Sequence, residues 1–399
     1  MHILEIPSFF PPYGGLFCLE QSKALAQQGN TVRIIANVNV SARLSTRLWL
    51  TAPLHPYDTD MDGIEVTRHE MRAIPFCTKT NIRRWCNGVM RMADTYINRY
   101  GRPDILHAHC CAWAGYAAML VSRRYGIPYV ITEHLSHEFH VKEFGRHGAD
   151  AWQAVLLREA YKEAGLVIPV SQELTDDLAP IFGRKYKWTA VSNVIDTHFY
   201  QYRRRKPIAN RPYTVCCLAN FTPRKGYDTM LEAFAIFLEK AGGNATLLVA
   251  GRDTDSQEFD ALVGRYGIAD HVKTYGYVDK HKILDILYAS DCLALATRNE
   301  AQGLVLLEAM STGIPVVTTD RVPQNVRIDG GCRIAPADRA DIMADCLYQT
   351  MTAAHFDGKA VSDQVAQTAS PEFIGKRLTD LLAETASASR LQRHGAAAR

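Results

Sequence analysis

Residues 300–319 read Glu-Ala-Gln-Gly-Leu-Val-Leu-Leu-Glu-Ala-Met-Ser-Thr-Gly-Ile-Pro-Val-Val-Thr-Thr. The pattern predicts a helix over Leu304–Thr312 and then a strand over Pro315–Thr319, a unit of an α/β fold. Apolar side chains surround Glu308 in that helix, and a helix that is apolar on every side is normally buried. An ionised carboxylate there is costly unless a partner satisfies it. The stretch therefore predicts a buried carboxylate that needs a ligand or an internal partner.

The alternation of strand and helix continues on both sides of this stretch through the second half of the chain. The predicted strands are Thr214–Leu218, Ala245–Ala250, Val272–Tyr275, Cys292–Ala296, Pro315–Thr319 and Cys332–Ile334. The predicted helices are Asp228–Lys240, Glu258–Tyr266, Lys280–Ala289, Leu304–Thr312 and Asp338–Thr352. This order is typical of a parallel sheet that is covered by helices on both faces.

The first half repeats this pattern. Its predicted strands are residues 2–6, Thr31–Val38, Asp104–His109, Tyr129–Thr132, Gly165–Val170 and Thr189–Ser192, with helices at Leu16–Gln28 and Ala114–Tyr125. Gly29 and Gly126 follow those two helices, where a helix C-cap is expected. The first half therefore also predicts a doubly wound α/β domain.

A polar, basic segment with two prolines, Gln201–Pro212, separates the two series and is interpreted as a linker. A chain of 399 residues exceeds what one core usually supports. We expect an N-terminal domain over 1–200 and a C-terminal domain over 213–370. A last helix near Pro371–Glu384 should pack back onto the first domain as part of 371–399, with a frayed tail from Ser387.

Bulk composition is that of a globular protein, with 47% apolar and 22% charged residues. A net charge of +3 is too small to indicate nucleic-acid binding by itself. The ten cysteines lie scattered, mostly in apolar runs, and are expected to be reduced core residues. The N-terminus leads directly into a strand pattern, and no apolar run is long enough to cross a membrane. We therefore expect a cytoplasmic protein, with contact to the inner face of the plasma membrane as a hypothesis.

That hypothesis concerns residues 68–100, which combine many Arg and Lys side chains with Phe76, Trp85, Met90 and Met92. A basic amphipathic helix of this kind can lie on an anionic membrane surface. The simpler interpretation is a solvated, charge-rich helix face.

The 300–308 stretch has the groups that a nucleotide sugar would need. Glu308 could accept both hydroxyl protons of a ribose diol, and Glu300 could hold hydroxyls of a sugar. The helix start at Gly303, Leu304 and Val305 would direct free backbone N–H groups at a diphosphate. Alternatively, Glu308 has an internal partner and Glu300 is a surface loop residue.

A second candidate loop, Leu218-Ala-Asn-Phe-Thr-Pro-Arg-Lys-Gly226, follows the first strand of the second series. Loops at the carboxyl ends of neighbouring strands converge, so this loop and the Glu300 loop can share one site. Arg224 and Lys225 are candidates to stabilise the charge of a departing diphosphate without a metal. Asn220 lies in the same loop. A basic dipeptide is, however, ordinarily exposed to solvent.

In the first series, Gly14 and Gly15 follow the first strand and permit close backbone approach to a phosphate or sugar, or simply make a tight turn. His109 ends the strand in Asp104-Ile-Leu-His-Ala-His109 and can hydrogen-bond a sugar. His-x-His followed by Glu133-His134 also permits a metal interpretation, although no zinc-like ligand spacing accompanies it. The full G-x-G-x-x-G of a nicotinamide enzyme is absent.

Taken together, these motifs resemble a retaining glycosyltransferase of family four, glycosyl transferases group 1, with the GT-B fold. The resemblance rests on the Gly-Gly loop, the 104–109 strand, Thr132-Glu-His134, Val191–Phe199, the Arg-Lys-Gly loop and the two glutamates eight positions apart. It covers nearly the whole chain in the correct order. It implies two Rossmann-like domains facing a cleft, where a hexose-type sugar passes from a nucleotide-diphosphate donor, UDP- or GDP-linked, to a glycan or lipid-linked acceptor, as in bacterial surface polysaccharide or glycolipid synthesis.

The resemblance also implies a role for each site residue. Glu308 would bind the ribose, Glu300 the donor sugar and Lys225 the diphosphate, supported by Gly15 and the 303–305 amides. His109 would lie beside the donor sugar near the reacting carbon. Such enzymes are similar in retaining anomeric configuration, without a protein nucleophile, a cofactor or a metal.

Some positions depart from the family pattern, and other functions remain open. Asn220 stands where relatives have an Arg, Gln302 replaces an aromatic residue, and 320–325 lacks the usual Gly-Gly-x-Pro-Glu. One alternative is a metal-dependent transferase using Asp58-Thr-Asp60 or Asp253-Thr-Asp255. Others are an epimerase or phosphorylase on the same fold, or a glycan- or nucleotide-sugar-binding protein without transferase activity.

Overall fold

The computed structural model describes residues 1–43, 45–204, 211–353 and 355–397. The chain divides into unit 1, Met1–Val194 with Pro371–Arg399, and unit 2, Ile195–Ser370. No helix in the described part of the chain is long and apolar enough to cross a bilayer.

Unit 1 is built on a seven-stranded sheet in the order β3-β4-β2-β1-β5-β6-β7, parallel except for the antiparallel β3–β4 pair. Its strands are β1 His2–Pro7, β2 Thr31–Val40, β3 Tyr57–Met61, β4 Ile64–Arg72, β5 Ile105–His109, β6 Tyr129–Glu133 and β7 Leu166–Pro169. Its first helices are α1 Leu16–Gln27, α2 Thr46–Thr51, α3 Thr78–Tyr100, α4 Tyr116–Tyr125, α5 His137–Phe144, α6 Trp152–Glu163 and α7 Gln172–Phe182. Buried strands β1, β5 and β6 form its centre.

Unit 2 is built on a six-stranded parallel sheet in the order β10-β9-β8-β11-β12-β13. Its strands are β8 Tyr213–Leu218, β9 Ala245–Ala250, β10 Val272–Thr274, β11 Cys292–Leu295, β12 Val316–Thr319 and β13 Cys332–Ala335. Its helices are α8 Tyr227–Lys240, α9 Gln257–Arg265, α10 Lys280–Ala289, α11 Leu304–Ser311, α12 Ala340–Met351 and α13 Gly358–Ala369. One continuous apolar core fills this unit. The order reverses at β8 and β11, the position where doubly wound sheets bind ligands.

The last helix, α14 Pro371–Ala397, belongs to unit 1. Ile374, Leu378 and Leu382 are buried in the unit 1 core, and Asn30 Nδ2 donates to Thr379 Oγ1 at 2.8 Å. The helix continues through the tail that was predicted to fray from Ser387. That prediction was wrong because the Ala-rich tail extends an anchored helix, and an existing helix adds residues without a new nucleation cost.

The division between the units lies at Val194 and Ile195, ahead of the linker predicted at 201–212. Ile195 and Tyr200 are already part of the unit 2 core, and Ile195 N donates to Ala369 O at 2.8 Å. Residues 205–210 of the predicted linker lie outside the described residues. The strand predicted at Thr189–Ser192 is not formed, and one isolated bridge at Trp188 takes its place.

Candidate functional site

The first part of the site is the turn that starts α11. Gly303 precedes the helix at a φ of 89° and has no side chain that could cap it. Leu306 N donates to Gly303 O at 3.0 Å, and the N–H groups of Leu304 and Val305 come before this first bond of the helix. A Cβ at this glycine would lie 3.1 Å from Glu300 Cγ. The turn therefore holds Glu300 close to the positive end of the helix, whose first residues are Leu304 and Val305.

The second part is the Pro223–Gly226 loop after β8. Gly226 adopts a φ of 62°, and a Cβ there would lie 2.1 Å from the carbonyl oxygen of Ala296, at the end of β11. Arg298 N donates to Arg224 O at 2.8 Å. Only glycine permits this close contact with Ala296 O, and the basic loop therefore packs directly against the end of the strand that precedes Glu300.

These two loops bring opposite charges into contact. Lys225 Nζ lies 2.8 Å and 3.2 Å from the two carboxylate oxygens of Glu300, and Arg224 Nη1 lies 3.5 Å from the nearer one. Arg224 also donates to Asn299 O at 3.0 Å, which holds the Glu300 loop. The Lys225 and Glu300 side chains are only 13% and 11% exposed. The structure thus places a partly desolvated cation and carboxylate beside the uncapped helix start.

Glu308 lies in the second turn of α11 and is half-buried. Burial raises its pKa to about 7, against the opposing effect of a hydrogen bond from Tyr200. The Tyr200 backbone is itself held, because Ser311 Oγ donates to its carbonyl at 2.6 Å. The Tyr200 phenol uses only one of the hydrogen-bond acceptor sites on the two carboxylate oxygens, so Glu308 can still accept hydrogen bonds from both hydroxyls of a diol. Sequence reasoning did not identify Tyr200.

Asn220 is exposed and has a local role. Its Oδ1 accepts a hydrogen bond from Arg252 N at 3.0 Å, which ties the loop after β8 to the turn after β9. Gly251 in that turn would place a Cβ 2.0 Å from Ala219 O. Asn220 therefore helps to fix the backbone of the two turns that follow β8 and β9.

The two glycines of unit 1 differ in their surroundings. Gly15 precedes α1 at a φ of 76°, and a Cβ there would lie 1.9 Å from Phe9 O, so the loop itself requires glycine. Gly14 has a φ of 99° and no atom within 4 Å of a built Cβ. Of these two glycines, only Gly14 has open space where a side chain would lie.

His109 ends β5, is fully buried, and has partners for both ring nitrogens. Nε2 lies 2.7 Å from Glu5 Oε2, and Nδ1 lies 3.4 Å from His134 Nε2. Burial would raise the pKa of Glu5, but the charges and hydrogen bonds of His107 and His109 outweigh it and hold that pKa at about 2. Since an ionised Glu5 only accepts, His109 Nε2 is the donor and Nδ1 faces His134. Sequence reasoning missed Glu5, a lone carboxylate in an apolar strand.

Family models match the chain in two blocks. "Glycosyltransferase Family 4" matches residues 14–199, and "Glycosyl transferases group 1" matches residues 199–328. The chain belongs to the family-four, group 1 glycosyltransferases. The resemblance stated from sequence is confirmed, and the two α/β sheets form the GT-B fold.

Individual relatives agree with this membership. Glycogen synthase of Mycobacterium tuberculosis is 24% identical over 343 residues, covering 80% of this chain and 78% of that protein. Lipopolysaccharide glucosyltransferase WaaG of Escherichia coli is 31% identical over 118 residues, covering 30% of this chain and 31% of that protein. The crystal structure of HepE from Anabaena, in complex with UDP and glucose, superposes with a TM-score of 0.70 at 18% identity. The superposition covers 96% of this chain and 100% of the HepE chain.

The glycosyltransferase has one three-residue group of potential metal ligands among its described residues, formed by Glu5, His107 and His109. Hydrogen bonds within the protein already occupy the same atoms, since His107 lies 3.0 Å from Glu5 and 2.6 Å from Thr132 Oγ1. Glu133, which the metal interpretation required, accepts from Cys111 N, His134 N, Leu135 N and the Tyr161 hydroxyl. This geometry favours a hydrogen-bonded polar core. Asp58, on exposed β3, is paired with Arg99.

Proposed function

We propose that this glycosyltransferase is a retaining, metal-independent hexosyltransferase whose unit 2 binds a nucleotide-diphosphate sugar. The observation that supports this most is the contact between Lys225 and Glu300 beside the uncapped start of α11, with Glu308 in the next turn. A diphosphate needs fixed positive charge, and a sugar and a ribose need hydroxyl acceptors. The Pro223–Gly226 loop, the Glu300 loop and the start of α11 together carry both kinds of group.

Each group has a role in donor binding. Glu308 accepts from the ribose diol, and Glu300 accepts from hydroxyls of the transferred sugar. Lys225, with Arg224 and the amides of 303–305, contacts the diphosphate. These positive groups stabilise the charge that the diphosphate gains as the glycosidic bond breaks, so a divalent cation is not required. The UDP in the HepE complex supports a nucleotide donor on this fold.

In the reaction, the bond between the anomeric carbon and the diphosphate oxygen breaks, and its electron pair leaves with the diphosphate. The acceptor oxygen forms its bond to the same carbon on the same face, and its proton passes to the departing phosphate oxygen. Configuration is retained without a covalent enzyme intermediate. Gly14, Gly15 and His109 are assigned to the donor by family resemblance. His109 must exchange a bond to Glu5 or His134 if its ring is to touch the sugar.

The acceptor is proposed to be a glycan or a lipid-linked sugar of the bacterial surface, which the likeness to WaaG supports. A cavity of about 450 Å³ lies within unit 1 at the carboxyl ends of β1 and β2 and includes Phe9, Tyr13, Trp113, Phe139 and Glu143. Aromatic faces with a few polar groups suit a sugar ring. Glu143 is the only charged residue among the described lining residues, which favours a neutral sugar over a phosphate in this cavity.

Substitutions in unit 2 test the donor site. Glu308→Gln should weaken UDP or GDP binding by roughly tenfold or more, because it removes a charged acceptor worth about 1.5–3 kcal/mol. Glu232→Gln, an exposed glutamate of α8, is the matched control and should bind as the wild type does. Isothermal titration calorimetry measures both. Equal affinities for the two variants would contradict the ribose role.

The reaction is tested with the donor that binds. Lys225→Met should reduce kcat more than it raises KM for the donor, since its charge acts mainly on the leaving group. Transfer should persist in a chelator, and NMR of the product should show the anomeric configuration of the donor.

A binding protein without transferase activity is the second candidate, because Asn220 occupies the place of a family Arg and positions backbone. Donor binding without hydrolysis or transfer to any acceptor would favour it. An altered donor released without acceptor would indicate an epimerase.

A further inference from the structure

One part of unit 1 concentrates positive charge far beyond the chain average. Residues 41–57 and 71–93 contain no Asp or Glu, although the whole chain has 42 acidic and 45 basic residues. The cations in these two segments are Arg43, Arg47, Arg72, Lys79, Arg83, Arg84 and Arg91. The net charge of +3 conceals this local excess.

The same two segments expose large apolar side chains. Phe76 is 88% exposed, Leu54 70% and Leu50 59%. Leu48 and Ile74 are also exposed. Leu48 and Leu50 belong to α2, a helix with no buried residue. Contiguous exposed apolar groups among cations indicate an interaction surface.

Specific contacts join the two segments into one surface. Arg72 Nη2 donates to Leu50 O at 2.8 Å and to Ala52 O at 2.7 Å. Trp49 Nε1 donates to Ala73 O at 2.9 Å. The Arg43 guanidinium lies 4.5 Å from the centre of the Phe76 ring. We call Arg43 and the exposed residues of 45–54 and 74–83 the basic apolar surface.

This surface differs from the amphipathic helix that the sequence suggested. In α3, the apolar residues Trp85, Met90 and Met92 are buried inside unit 1 and cannot enter a bilayer. The exposed apolar groups lie instead on α2, at Leu54 in the loop that follows it, and on the Ile74–Phe76 turn before α3. The nearby cations Arg47, on α2, and Lys79 and Arg83, in the first two turns of α3, are also exposed.

We propose that the basic apolar surface docks this glycosyltransferase on an anionic lipid bilayer. Cations near an anionic membrane each contribute to binding, while exposed Phe and Leu side chains insert at the boundary between headgroups and acyl chains. A nucleic acid would use the cations but would leave the protruding leucines in water. The combination therefore fits a lipid surface better. The proposal is independent of the donor-site assignments.

Vesicle co-sedimentation of the full chain tests the proposal, with phosphatidylcholine vesicles that contain or lack phosphatidylglycerol. Binding should require phosphatidylglycerol and fall as salt rises. Arg47→Ser with Arg83→Ser should weaken partitioning by about 30-fold, from about 1 kcal/mol for each cation. Lys185→Ser with Lys187→Ser, which removes two exposed cations elsewhere in unit 1, is the control and should bind nearly as the wild type does.

The apolar contribution is tested separately. Leu54→Ser with Phe76→Ser should lose binding even at low salt, whereas Leu391→Ser, at a 74% exposed leucine, should not. Circular dichroism and nucleotide affinity should stay unchanged in every variant, which separates this outcome from failure of the donor site. Equal binding to vesicles with and without phosphatidylglycerol would overturn the proposal. So would an equal loss of binding in the Arg47/Arg83 and Lys185/Lys187 double variants, or binding to nucleic acid but not to vesicles.

Discussion

At the scale of single residues, Glu308 couples stability to pH. Its carboxyl has a pKa of about 7 in the folded chain and an ordinary value of 4.5. A raised pKa gives stability that is complete below about 4.5 and is lost as pH rises through about 7. Glu308→Gln removes that loss, so the variant should unfold at the wild-type temperature near pH 4.5 and higher near pH 8. The gain should be at most about 3 kcal/mol, which is the difference between a pKa of 4.5 and about 7 at about 1.4 kcal/mol per pKa unit, and solvent around the half-buried carboxylate reduces it. Each kcal/mol corresponds to roughly 2–4 °C. Thermal melts at both pH values measure this gain. The same difference in unfolding temperature between variant and wild type at about pH 4.5 and about pH 8 would refute the prediction.

The residue scale also shows what the sequence could predict of the site. Glu300 and Lys225 were identifiable because each follows a strand at the same sheet edge, and their contact follows from parallel topology. Tyr200 beside Glu308, and Glu5 beside His109, join residues about a hundred positions apart. No local pattern encodes such pairs. The sequence predicted that His109 could bind a sugar, but it did not reveal that Glu5 and His134 lie against both ring nitrogens, because packing sets those contacts.

At the scale of elements, the Pro223–Gly226 loop depends on one glycine. Gly226→Ala should cost about 1–2 kcal/mol for the left-handed backbone and more for the contact with Ala296 O. It should also weaken UDP or GDP binding, because Lys225 moves with the loop. Gly243→Ala, at a φ of 77° with no atom within 4 Å, shares only the backbone strain and serves as control. Chemical denaturation and calorimetry distinguish the two, and equal nucleotide affinity in both variants would count against the loop's role.

The strands of unit 2, including its edge strands β10 and β13, were predictable, whereas the β3–β4 hairpin at the edge of unit 1 was not. Strands β8, β9 and β11 were predicted to within a residue at each end, since a strand buried on both faces reads as an apolar run. The β3–β4 hairpin was missed because β3, Tyr57–Met61, is largely exposed and contains Asp-Thr-Asp. The helix α14 was predicted too short, since its last turns present small polar residues whose helical state depends on the anchored part.

At the scale of the whole molecule, the chain leaves unit 1 after Val194 and returns at Pro371, so α14 completes a core that it follows late in sequence. Leu378 is fully buried there, and Leu378→Ala should destabilise unit 1 by about 2–5 kcal/mol. All 5 tryptophans precede residue 195, so their fluorescence reports the unfolding of unit 1. Leu391→Ala, on the same helix but exposed, should leave that transition in place. UDP or GDP affinity should be unchanged in both variants, because Glu308 and Lys225, which are proposed to bind the ribose and the diphosphate, belong to unit 2, which has its own core. A parallel loss of nucleotide affinity in Leu378→Ala would show that the donor site depends on unit 1.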